Sequence, residues 1–214
     1  MELRLVENKD WIILIFVGVF ILLAIVKTKF PRRFQEFMLL PITNKYFSVE
    51  GKSSEVTHPF SLLLFIVQAV SLSLFICIVL TLGIGNFKNT PILFLQVFTG
   101  FTLIILAKYY VEKLVAHVFD IEKLVQDYLY EKLSYINLLS LIVFIANIIF
   151  FFIYFPDGTT INFVIAGFVF LYVIALISSI KKNTTLILRN FLYFILYLCA
   201  LEFAPYVILY KLVV

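Results

Sequence analysis

Apolar residues fall into six long runs along this chain, and polar residues cluster in the short gaps between them. The runs cover about residues 11–28, 60–82, 91–112, 134–155, 161–180 and 188–211. Each is close to the roughly 20 residues an α-helix needs to cross a bilayer. The gaps have the chemistry of helix ends. Pro59 and Pro91 stand at run starts, where a helix has no use for the missing N–H. GIGN at 83–86 and FPDGTT at 155–160 are turn sequences of Gly, Pro, Asp and Asn. The second is so short that runs four and five must form an antiparallel hairpin. The pattern predicts an all-α fold, a polytopic membrane helix bundle with six transmembrane helices in a single integral membrane domain over 1–214.

Composition supports the same class. The chain is 63% hydrophobic and 14% charged, with mean hydropathy +1.08. A soluble domain carries about 25% charged residues. A domain of this length leaves about a quarter to a third of its surface exposed, so lipid must cover much of it.

Charge then sets orientation. The 1–2, 3–4 and 5–6 loops hold six, four and three Lys or Arg, and the other side holds Arg4, Lys9, Lys88 and Lys211. Thirteen against four is a strong positive-inside bias. It predicts a bacterial inner-membrane protein with both termini periplasmic and the three larger loops cytoplasmic. Trp11, Tyr154 and Tyr210 then fall near the outer interface, Tyr109 and Tyr110 near the inner one. The net charge of +4 is spread over short loops, so nucleic acid is not an expected partner. The first run has a mixed-charge leading flank and a basic trailing flank, KTKFPRR, which argues against a cleaved signal peptide.

Two cytoplasmic stretches carry a helical pattern. In PRRFQEFMLL, Phe34, Phe37, Met38 and Leu40 recur at helical spacing. This fits a short helix on the inner leaflet with Arg32 and Arg33 on lipid head groups, or arginines that only keep the loop inside. In the 113–133 segment and its approach, Val111, Leu114, Val115, Val118, Ile121, Val125 and Leu129 form one apolar face. An amphipathic cytoplasmic helical segment follows, either continuing span three or bending near His117. Lys108, Lys113 and His117 are candidate contacts to head groups or a partner.

The sharpest chemical feature is Glu202, within LCALEFAPYVIL. It lies 13 residues past Arg189, about 20 Å at 1.5 Å per residue. A carboxylate inside a layer about 30 Å thick must be neutral, paired or beside water. Asn147, Thr99 and Ser73 come out at similar depth and complete a candidate intramembrane polar site. Three roles fit Glu202: an ion or proton site beside the helix break at Pro205, a packing or subunit contact, or a place at the outer interface if the span starts earlier.

Other chemistry is sparse. Cys77 and Cys199 sit about 10 Å apart in depth, too far for a disulfide that needs Cα atoms within about 7 Å. The sequence contains no P-loop, no G-x-S-x-G, no H-E-x-x-H and no metal-ligand cluster. No catalytic residue, metal or cofactor is expected.

FPRRFQEFMLLPITNKYF and AKYYVEKLVAHVFDIEKLVQDYLYEKLSYINLL resemble segments of a family of multi-pass inner-membrane proteins of unknown function, found mainly in Bacteroidetes. The resemblance covers most of the chain and implies a membrane location and fold, with no activity to carry over. The function expected is that of a non-enzymatic inner-membrane subunit of an envelope assembly, in secretion, motility or envelope biogenesis. It would meet other membrane proteins through its spans and the 113–133 segment, as an oligomer or hetero-complex. The alternative is a small ion- or proton-coupled transporter using Glu202 and Asn147.

Overall fold

A computed structural model describes residues 10–40, 46–47, 58–84, 90–119, 121–154 and 156–182. Among them the elements are all helical: α1 (Asp10–Lys29), α2 (Pro31–Met38), α3 (Pro59–Ile84), α4 (Pro91–Val118), α5 (Glu122–Phe152) and α6 (Gly158–Lys182). Four helices are long and apolar enough to cross a membrane: Asp10–Lys29, Pro59–Leu82, Pro91–Val118 and Val125–Phe152. A fifth apolar stretch, Gly158–Ile174, is shorter. The run at 188–211, with Glu202 and Cys199, lies outside the described residues.

Local sequence sets the helix starts. Pro91 opens α4, and the Thr90 hydroxyl accepts the Leu93 N–H at 3.3 Å. At the α3 start Pro59 follows His58, whose Nδ1 accepts the Phe60 N–H at 3.1 Å. Helix α1 carries Asp10 in its first turn and Lys27 and Lys29 in its last, matching the helix dipole.

Helices α3 and α5 pack against each other at the centre. Helices α1, α4 and α6 each pack on α3, while α4 and α6 also pack on α5. Ile12, Phe16 and Val19 of α1 meet Val67 and Leu74 of α3 and Phe144 of α5. Farther along, Phe75 and Ile78 meet Val143, Phe150 and Ile161. Leu14, Phe20, Leu95, Leu103, Phe163 and Phe170 are exposed, as lipid-facing positions should be.

The two stretches with a helical pattern between spans differ in part from the sequence reading. Helix α2 does not lie with all its apolar residues on lipid. Phe37 and Leu40 are buried in an aromatic cluster with Tyr46, Phe47, Phe60 and Tyr130, while Met38 stays exposed. The Tyr46 and Tyr130 rings stack at 6.0 Å, and the Tyr130 hydroxyl donates to that of Tyr46 at 2.9 Å. Burial, and after it the neighbouring Tyr130, push the Tyr46 pKa up.

Of the two forms expected for the 113–133 segment, the break near His117 is the one found, but the segment does not go on as one amphipathic helix. Helix α4 ends at its cap residue Phe119, and α5, capped by Ile121, runs 31 residues, about 46 Å, into its membrane span. The turn shifts the helical phase and splits the expected face. Ile121, Val125 and Leu129 pack with Ala116 and Tyr128 across the hairpin. Val111, Leu114 and Val118 remain exposed on α4.

Candidate functional site

Among the described residues, two polar features interrupt the apolar bundle. The first is a seam between α3 and α5. Ser71 Oγ donates to the Ser140 carbonyl at 2.9 Å, and Asn147 Nδ2 donates to the Ser71 carbonyl at 2.8 Å. Ser140 Oγ turns back to the Asn137 carbonyl at 2.7 Å. Polar groups buried between membrane helices act as hydrogen-bonding glue. The seam also holds unused capacity. Asn147 Oδ1, Asn137 Oδ1 and Ser73 Oγ are buried with no hydrogen-bond partner among the described residues.

The second feature is a groove of about 390 Å³ among four helices. Helices α3 and α5 form its floor, α4 and α6 its walls. Glu112 of α4 is only 2% exposed and sits between two lysines. Its Oε1 is 3.9 Å from Lys108 Nζ, one turn earlier, and 3.7 Å from Lys132 Nζ on α5. The Lys132 ammonium also lies 5.9 Å from the centroid of the Tyr128 ring. The carboxylate thus lies within ion-pair distance of a lysine on its own helix and of one on α5. Gln68 of α3 lines the same groove.

The sequence-derived residues fall in different places. Asn147 and Ser73 are both buried in the α3–α5 region. Thr99 does not join them. It is exposed on α4, and its hydroxyl bonds back to the Leu95 carbonyl. Glu202 is outside the described residues. Arg32 is exposed and pairs with Glu36 at 3.6 Å, while Arg33 is half-buried on the same helix. Lys113 is exposed, and His117, also exposed, pairs with Glu122 across the turn. Among the described residues no group of His, Cys, Asp and Glu is arranged to hold a metal.

The model of a family described as a domain of unknown function, DUF4271, matches residues 12–213. This chain belongs to the DUF4271 family. No curated protein and no solved structure matches it. In this DUF4271 chain, sequence reading overlooked Gln68, Ser71, Asn137, Ser140 and Lys132. Spacing was a usable signal for the seam. Gln68 and Ser71 are three residues apart, as are Asn137 and Ser140, and Asn147 follows Ser140 by two turns. Nothing local marks Lys132, whose place beside Glu112 is a tertiary fact.

Proposed function

We propose that this chain is a non-enzymatic integral subunit of an envelope assembly in the bacterial inner membrane. In this reading it has six spans, the last at 188–211, and both termini are periplasmic. One observation carries it. Helix α4 has 28 residues, about 42 Å, against a hydrocarbon layer of about 30 Å. Its last turns extend past the lipid, yet Leu114 and Val118 there are 64% and 67% exposed. They form an apolar strip past the hydrocarbon layer that a protein partner would cover. The test is a photo-crosslinking amino acid at Leu114 or Val118, with Phe163 as the lipid-facing control. Both α4 positions are expected to give the same discrete protein adduct in native membranes, and Phe163 none. Absence of any protein adduct from both α4 positions would sink the reading.

Asn147 Oδ1, buried and without a hydrogen-bond partner among the described residues, favours a second reading, the small ion- or proton-coupled transporter with Glu202. It requires that Glu202→Gln abolish flux in reconstituted vesicles. Intact flux in that variant would eliminate it.

A further inference from the structure

Helix α4 differs from the other long spanning helices in how little of it the bundle covers. In its apolar stretch 6% of residues are buried, against 22%, 50% and 39% in α1, α3 and α5. Its exposed residues are not scattered. Ile92, Gln96, Thr99, Leu103, Leu106 and Tyr110 are all exposed, and they follow one another at alternating steps of four and three. That spacing is a seven-residue repeat, the seam along which two helices supercoil.

Lipid alone does not account for this seam, because the seam holds an amide. Pro91 to Ala107 carries no charged residue and measures about 26 Å, close to a hydrocarbon layer of about 30 Å. Gln96, five residues after Pro91, lies about 8 Å inside that layer. Hydrocarbon offers its N–H₂ and its carbonyl no hydrogen bond, and a polar group turned toward lipid is costly. Thr99, the next seam residue, uses its hydroxyl on the Leu95 carbonyl of its own helix. The amide of Gln96 is the seam group that a partner helix would satisfy.

We propose that α4 pairs with α4 of a second copy of this chain, as a parallel two-fold dimer within the membrane. Two copies of one topology share the same depths. A two-fold axis along the membrane normal therefore sets each seam residue against its own counterpart. An amide both donates and accepts, so two Gln96 side chains satisfy each other. An unrelated helix would need a matching group at that depth; a second copy supplies it by symmetry. Leu103, Leu106 and Tyr110 pack as apolar knobs along the rest of the seam. The next position in the repeat is Lys113, also exposed, where two ammonium groups would meet, so the helices part there. Leu114 and Val118 stay open to the partner of the subunit reading. The dimer goes beyond that reading, and neither depends on the other.

The experiment is oxidative cross-linking of single-cysteine chains in native membranes, with Cys77 and Cys199 replaced by alanine. Thr99→Cys, Leu103→Cys and Leu106→Cys are expected to give a band at twice the chain's 24.9 kDa. Val97→Cys, Phe101→Cys and Ile105→Cys, half-buried on the other face of α4, should stay monomeric. Adding Gln96→Leu to Leu103→Cys should lower the association constant about tenfold, or 1.4 kcal/mol, as the hydrogen bonds between the helices are lost. The cross-linked fraction on dilution of the reconstituted chain into lipid reads that constant. Gln96 is exposed, so its replacement leaves the packing of the bundle intact. Equal cross-linking on both faces, or no band at twice the mass from any seam position, overturns the proposal. So does an association constant unchanged by Gln96→Leu. Loss of the dimer would leave the subunit reading standing, since that reading falls on the photo-crosslinks at Leu114 and Val118.

Discussion

Asn147 is fully buried and uses its amide N–H₂ on the Ser71 carbonyl, while its Oδ1 has no partner among the described residues. The two halves of one side chain thus pull in opposite directions. The donor ties α5 to α3; the acceptor is a desolvated group without compensation. Hydrogen bonds between membrane helices contribute about 0.6 kcal/mol on average. Replacing the whole amide by hydrocarbon removes the bond and the cost together. Asn147→Leu is therefore expected to change unfolding free energy by less than about 1 kcal/mol, whereas Asn147→Asp, which loses the donor and adds a carboxylate, should cost more. Denaturant unfolding in mixed micelles measures both. A large loss in Asn147→Leu would mean that Oδ1 has a partner and a task. At this scale the sequence was informative about which residues are unusual, since Asn147 and Ser73 stand out in apolar runs. It was poor on their neighbours. Equal depth put Thr99 beside Asn147, but depth says nothing about which side of a helix a residue occupies, and Thr99 points outward.

At the scale of elements, the apolar runs were legible because spanning lipid demands length and continuity: a helix covers most of each of the first five runs, the fourth beginning 12 residues early at Glu122, and the run at 188–211 lies outside the described residues. The 113–133 stretch was harder to read. A helical period is a local signal, and the break between Val118 and Glu122 resets it. The consequence is testable in two leucines that the single-face pattern treats alike. Leu129 is 8% exposed and packs across the hairpin with Ala116, Ile121 and Val125; Leu114 is exposed. Leu129→Ala should cost about 2–5 kcal/mol, the range for buried Leu truncation. Leu114→Ala should fall within about 0.5 kcal/mol of wild type, as exposed substitutions do. Thermal unfolding of the purified protein distinguishes them. Equal losses would restore one continuous amphipathic face and remove the hairpin. The α2 helix teaches a related point. Its alternation of Arg with Phe reads equally well as a lipid-lying helix or a docked one. The aromatic side chains of Phe60 and Tyr130, far away in sequence, decide it.

At the scale of the whole molecule, helix direction and charge combine into a topology. The α4–α5 turn at 119–121 and the α1–α2 junction near Lys29 lie at one end of the bundle, because α1, α4 and α6 all run toward it while α3 and α5 run away. Thr90, before α4, and Asp157, before α6, lie at the other end. The positive-inside expectation would put the first end in the cytoplasm. That assignment is a matter of insertion energetics, which the packing of the bundle does not record. Single-cysteine accessibility supplies the missing measurement. With Cys77 and Cys199 replaced by alanine, a cysteine at Asp157 should react with a membrane-impermeant maleimide added outside spheroplasts. A cysteine at His117, which is exposed beside the turn, should react only after permeabilisation. The reverse pattern would invert the whole bundle. It would place the groove of Lys108, Glu112 and Lys132 in the outer leaflet, and the exposed strip of Leu114 and Val118 would then face periplasmic rather than cytoplasmic partners. Labelling at both positions from outside would instead break the hairpin geometry itself, since α4 must carry the chain across the membrane between Thr90 and His117.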